Sequence, residues 1–251
     1  MDLQTQTTEF NVQSAKAPKM HMRPARMISR QQPYVKMLCE DYNGDALTEE
    51  QGAANKGKWA EVFGNSNPID LEIGTGSGHF FAYQTLKEPQ RNLLGIELKF
   101  KPLIQAIQKC QQHPQKNFRI VRFRAEFLPV LVTPNEIENV FIHFPDPWPK
   151  RAQKKHRLLN AKFFTDLFAL QKPGSFLQIK TDSRDYFDFI LSEIKKTPYS
   201  NKSVSFDFHA DKLQANPQGE FIKSRETPPT QFEGIFLAQD LPIHFGFWLK
   251  P

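Results

Sequence analysis

The segment that most constrains this chain is Asp70-Leu71-Glu72-Ile73-Gly74-Thr75-Gly76-Ser77-Gly78. A compact apolar run at 69–73 enters three alternating glycines, and a helical pattern follows at about 80–86. Glycine carries no Cβ and accepts φ > 0, so a strand-to-helix turn made of it lets the backbone approach a ligand closely. Spacing then separates two ligand classes. The dinucleotide fingerprint G-x-G-x-x-G needs glycine at 79 counted from Gly74, or at 81 counted from Gly76, where this chain has His79 and Phe81. A carboxylate at Glu72, just before the glycines, opposes a pyrophosphate and suits the ammonium of an amino-acid moiety.

Around this turn the chain alternates. Strands are predicted at 69–73, 93–97, 118–123, 140–144 and 175–180, with helices at 59–63, 80–86, 103–111, 157–170 and 186–194. The longest of these stops at Lys172-Pro173-Gly174. Alternating strands and helices predict an α/β fold, a doubly wound, mainly parallel sheet. Two late strands near 204–208 and 243–249 break the alternation and predict an antiparallel pair at one edge. Residues 1–30 lack apolar periodicity and contain Pro18 and Pro24, so they read as a mobile basic arm before a single domain at 31–251.

The net charge of +6 matters because it is clustered. Lys16, Lys19, Arg23, Arg26, Arg30 and Lys36 form one acid-free stretch, and residues 98–124 form another with seven basic residues. A third knot is Lys150, Arg151, Lys154, Lys155 and Arg157. Any one cluster reads equally as a solvated face, but three together favour a polyanion, hence nucleic acid. Two cysteines, Cys39 and Cys110, exclude a disulfide scaffold and a multi-cysteine zinc site. No run of 18 apolar residues exists and residues 1–10 lack signal-peptide character, so the expected location is the cytoplasm, with no membrane partner.

Two further carboxylates complete the pattern. Gly95-Ile96-Glu97 places an acid at the tip of the second of these strands, where it can accept from both hydroxyls of a ribose; alone, beside Lys99 and Lys101, it reads more readily as surface charge. The strand at 140–144 runs into Pro145-Asp146-Pro147-Trp148-Pro149-Lys150, where three prolines fix the backbone around Asp146. Trp148 reads equally as a packing residue or as a platform for a planar group. His143, with no cysteine or second histidine near it in sequence, reads as packed or cofactor-adjacent, and no metal site is expected.

The run Glu72 to Gly78 resembles motif I of the class I S-adenosylmethionine-dependent methyltransferases, whose fold is Rossmann-like. FPDPWPK followed by RAQKKHRL resembles the tRNA (guanine-N7)-methyltransferase family of the bacterial single-subunit type, and so do IKTD at Asp182 and Thr230-Gln231-Phe232-Glu233. The resemblance implies S-adenosylmethionine as cofactor and N7 of a guanine in the tRNA variable loop as acceptor, without an obligatory protein subunit. It makes Glu72 and Glu97 carboxylate ligands of the donor and Asp146 its cofactor-contacting catalytic residue. Gly74, Gly76 and the backbone of Ala125 are then expected to complete the cofactor site. Lys150, Asp182, Thr230, Gln231, Phe232 and Glu233 would line the RNA site.

Three positions depart from the family pattern. Arg124-Ala125 replaces an acidic or amide residue before alanine, Gln153 and Lys154 replace paired histidines, and Gly234-Ile235 stands where basic residues are usual. Arginine has no acceptor for an adenine amino group, so Ala125 backbone or Glu126 is expected there, with Arg124 turned outwards. An RNA-binding module that has lost catalysis is the alternative these departures leave open. An NAD-dependent dehydrogenase is disfavoured by the broken fingerprint and the charge clusters.

Overall fold

The computed structural model describes residues 25–28, 32–42, 44–211 and 230–251. Its frame is a sheet of eight strands: β1 (Ala46–Leu47), β2 (Ile69–Ile73), β3 (Asn92–Glu97), β4 (Phe118–Arg122), β5 (Val140–His143), β6 (Phe176–Thr181), β7 (Ser200–Ser205) and β8 (His244–Leu249). Their order is β1-β4-β3-β2-β5-β6-β8-β7. The first six in this order pair parallel, whereas β8 runs antiparallel to β6 and β7 antiparallel to β8. The expected doubly wound sheet with an antiparallel edge pair is therefore present. The chain leaves β2 towards β3 and β4, then returns to β5 and β6 on the other side. The gap between β2 and β5 is the topological switch point where open α/β sheets bind ligands.

Nine helices accompany the sheet among the described residues: α1 (Pro33–Lys36), α2 (Glu49–Ala54), α3 (Trp59–Phe63), α4 (His79–Lys87), α5 (Phe100–Gln111), α6 (Leu128–Leu131), α7 (Ala161–Leu170), α8 (Arg184–Ile194) and α9 (Gln231–Leu237). The central strands are buried throughout, as strands covered on both faces must be. One core joins Leu71, Ile142 and Trp248 of the sheet to Trp59 of α3, Leu167 of α7 and Ile190 of α8. A second joins Leu93 and Phe118 to Phe81 of α4 and to Leu103 and Ile107 of α5. A third, Phe208, Ile243, Phe245 and Phe247, lies under Phe236 and Leu237 of α9.

The differences from expectation are local. Strand β1 has two residues, too few to carry a period, and β7 begins at Ser200 because it is a polar edge strand without apolar alternation. Phe208, expected inside that strand, lies beyond it and packs in the third core. Helix α7 starts at Ala161, not 157, because the Asn160 side chain accepts from Phe163 N and caps it. Helix α9 was not anticipated, although Thr230 and Glu233 form a capping box at its start.

Ala25–Met27 forms a 3-10 turn that buries Ala25, whose N–H donates to Glu49. Residues 1–24, 29 and 30, the rest of the expected arm, lie outside the described residues. Neither Cys39 nor Cys110 is in a disulfide. Among the described residues no helix is long and apolar enough to cross a membrane. No cluster of three His, Cys, Asp or Glu side chains could hold a metal there.

Candidate active site

A cavity of about 900 Å³ opens at the carboxyl ends of β2, β3 and β5. The glycine turn forms its floor. Gly74 and Gly76 have φ of 78° and 53°, and a Cβ added to either would meet no protein atom within 4 Å. Both residues line the cavity, so a side chain there would occupy the space and not the core. Gly74 N and Thr75 N donate to Ile96 O at 2.9 and 3.2 Å, tying the turn to β3. Gly78 serves packing instead, since its Cβ would lie 2.5 Å from Ala106 Cα of α5.

Glu72 is 2% exposed, and its Oε2 has no hydrogen-bond partner among the described residues. Burial, and secondly the charge of Glu97, push its carboxyl well above the usual carboxylate range. Glu97 is held differently. Its Oε2 accepts from Gly76 N at 3.0 Å and its Oε1 from Lys99 N at 2.8 Å, which fixes the carboxylate while each oxygen keeps a lone pair. Farther along the wall, Ala125 opens a short 3-10 turn after Arg124. Arg124 Nη2 donates to Glu126 Oε1 at 2.8 Å, with side-chain exposures of 32% and 48%. Burial pushes the Glu126 carboxyl up, but the hydrogen bond and charge of Arg124 together with a backbone hydrogen bond outweigh it, and the net shift is downward.

The rim opposite is the turn after β5. Phe144 and Trp148 adopt φ of 51° and 45°, a conformation that costs any bulky residue and persists only where neighbours enforce it. Phe144 N donates to Lys180 O at 2.8 Å, and Arg157 Nε donates to Pro147 O at 2.9 Å. Arg157 is 3% exposed, lies over the Tyr186 and Phe189 rings at 5.0 and 5.2 Å, and pairs with Asp185. It is a strut that sets the turn. Asp146 is exposed at the rim, and the Trp148 ring lies 5.5 Å from that of His156.

Helix α9 closes one side of the cavity. Ser77 Oγ of the glycine turn donates to Gln231 Oε1 at 2.7 Å. Thr230, Gln231 and Phe232 line the cavity, and Phe232 is 53% exposed. Glu233 is buried; it accepts from Lys180 Nζ at 3.2 Å on each oxygen and lies 2.8 Å from His209 Nε2.

Residues 66–225 match a family model described as "Putative methyltransferase". A tRNA (guanine-N(7)-)-methyltransferase of Bdellovibrio bacteriovorus is 38% identical over 211 residues, covering 83% of this chain and 96% of the relative. The chain belongs to the tRNA (guanine-N7)-methyltransferase family. A second member, from Lachnoclostridium phytofermentans, is 34% identical over 189 residues, which is 75% of this chain and 84% of that one. The fold reaches beyond the family: a solved antibiotic-related methyltransferase aligns at TM-score 0.54 with 16% identity, over 76% of this chain and 92% of that one.

Of the residues expected to serve this family member, Glu72, Gly74, Gly76, Glu97, Ala125, Asp146, Thr230, Gln231 and Phe232 come together around one cavity. Lys150, Asp182 and Glu233 do not line it. Lys150 is exposed at the end of the rim turn, Asp182 follows β6 directly, and Glu233 anchors α9 from beneath. Sequence reading missed the Ser77–Gln231 contact, which spans 154 positions and has no local signal. It also missed Lys180, whose place inside an apolar strand pattern was the available clue.

Proposed function

We propose that the chain transfers a methyl group from S-adenosylmethionine to N7 of a guanine in the variable loop of tRNA. The observation that carries this reading is the set of carboxylates around one cavity: orphaned Glu72 at the base, Glu97 on the next strand and Asp146 at the rim. The residues fit the cofactor. Glu72 meets the ammonium of the amino-acid end, Glu97 the ribose hydroxyls, Gly74 and Gly76 leave room at the floor, and the Ala125 backbone meets the adenine. S-adenosylmethionine supplies a methyl group on a positively charged sulfur.

The acceptor N7 has a lone pair and no proton, so the chain needs no general base and its task is alignment. The guanine ring gains positive charge as the methyl arrives. The Asp146 side chain, fixed by three prolines, stabilises that charge without a proton transfer. Phe232 offers an exposed ring beside the cavity, Lys150 and Asp182 meet the RNA from the ends of the rim turn and of β6, and Glu233 acts by holding α9 in place. Residues 1–30 add phosphate contacts to a single catalytic domain at 31–251, and a tRNA substrate places the protein in the cytoplasm. The test is incubation with labelled methyl donor and bulk tRNA, then nucleoside analysis. Label in 7-methylguanosine is expected; no label, or label in another nucleoside, refutes the reading.

A further inference from the structure

Glu72 Oε2 and His143 Nδ1, buried polar atoms of two cavity-lining residues, have no hydrogen-bond partner among the described residues. The two side chains stand on neighbouring strands. Ile142 pairs with Ile73 across β5 and β2, so His143 is level with Gly74 at the start of the glycine turn. The imidazole is 8% exposed and packs edge-on against Phe80, with ring centroids 4.5 Å apart. Its Nε2 lies 3.1 Å from the amide nitrogen of Gln178, which can only donate, so Nε2 accepts. Burial, and then the charge of Lys180, hold the imidazole well below its usual pKa. The neutral ring therefore carries its proton on Nδ1, an N–H donor with nothing to receive it.

A buried orphan donor is rare in folded proteins. Here it shares a cavity with a buried orphan acceptor, a combination that matches a ligand presenting one group of each kind. The amino-acid end of S-adenosylmethionine carries an ammonium and a carboxylate on the same carbon. We propose that His143 holds the carboxylate of the donor's amino-acid end through Nδ1–H, while Glu72 holds the ammonium beside it. This rests on the reading of Glu72 given above. Lys180, the cation whose charge acts on His143, is committed to both oxygens of Glu233 and does not line the cavity. Gln178 acts one step behind, by fixing the tautomer. With both substituents held, the amino-acid arm has one orientation, and so has the sulfur that bears the methyl group.

Calorimetric titration of the full chain with two ligands tests this. S-adenosylhomocysteine has the whole amino-acid end; its decarboxylated analogue keeps the ammonium and lacks the carboxylate. His143→Phe keeps an aromatic ring against Phe80 and removes the donor. Loss of a hydrogen bond to a charged group predicts that His143→Phe binds S-adenosylhomocysteine about ten- to hundred-fold more weakly than wild type. The analogue should bind both proteins equally, which also shows that the variant is folded. His143→Gln, which restores an N–H donor, should recover part of the loss. An equal loss on both ligands, or none on S-adenosylhomocysteine, overturns the assignment of His143 and leaves the proposed function standing. A wild-type protein that binds neither ligand overturns both.

Discussion

Glu72→Gln should make the free protein more stable at neutral pH while weakening cofactor binding. The carboxyl is buried without a partner for Oε2, and burial, then Glu97, raises its pKa above the ordinary 4.5. In the unfolded chain the same group ionises near that ordinary value. Between the two pKa values the folded state holds a proton that the unfolded state has lost, so stability falls as pH rises. Glutamine cannot ionise and removes this decline. An unsatisfied buried polar group costs about 1–3 kcal/mol, more when charged, and about 1 kcal/mol moves the Tm of a chain this size by about 2–4 °C. Scanning calorimetry should therefore find the two proteins melting together near about pH 5, with the variant about 2–10 °C higher near about pH 8. Titration with S-adenosylhomocysteine should find the variant about ten- to hundred-fold weaker, because the charge-assisted bond to the ammonium is gone. A melting gap that does not grow with pH refutes the buried-orphan argument. Unchanged affinity removes Glu72 from the site.

Three further outcomes follow from the same geometry. Asp146→Asn deletes the charge and keeps the size, so the single-turnover methylation rate should fall by about 10²–10³-fold with tRNA affinity preserved; wild-type rates would reduce Asp146 to a turn residue. Glu97→Ala removes the ribose contacts and also releases Gly76 N and Lys99 N, so titration should show at least about ten-fold weaker S-adenosylhomocysteine binding with tRNA affinity little changed. Lys155→Ala should lower the slope of log affinity against log salt by about 0.7–0.9 without moving Tm, whereas Arg157→Ala should lower Tm, because only the second is buried against Pro147, Tyr186 and Phe189. Equal effects of the two on Tm would contradict the strut.

The parallel core of the fold was legible because its strands are continuous apolar runs set between helices with a clear period. Leu71, Leu94 and Ile142 are buried wherever the pattern placed them. Elements whose existence depends on a partner were not legible. β7 is polar and owes its strand conformation to the ladder with β8, and β1 is two residues whose one strand partner among the described residues is β4. α9 carries a capping box, but its apolar side is meaningful only over Phe245 and Phe247, which arrive later in the chain. The cradle was legible for the opposite reason: glycines and carboxylates at strand ends are constraints of local backbone chemistry, and the doubly wound topology gathers strand ends by itself. His143 shows the boundary between the two. Its position at the end of β5 could be read from sequence, but the orphaned Nδ1 could not, because that depends on Gln178 occupying Nε2.

Charge was the least faithful guide, since a cluster along the chain is a count in one dimension. Within residues 98–124, Lys109 donates to Ser77 O, Arg119 donates to Val62 O beside Asp45, Arg122 pairs with buried Glu49, and Arg124 pairs with Glu126. Those four brace the glycine turn and the surroundings of β4, while Lys99, Lys101 and Lys116 stay exposed, so the stretch does not act as one unit. The knot after the rim turn divides as well. Lys154 and Arg157 converge on Asp185, whereas Lys150, Arg151 and Lys155 stay exposed along the 3-10 turn Arg151–His156 and its cap. Three phosphate contacts would contribute about 2–3 to the salt slope. These cations share the rim with Asp146, and α9 stands across the cavity with Phe232 exposed. Under the proposed function, the phosphates of tRNA lie along the 3-10 turn and the target base enters between that turn and α9. The Ser77–Gln231 contact joins α9 directly to the glycine turn at the cavity floor, so a base entering beside α9 would meet an element anchored on that floor.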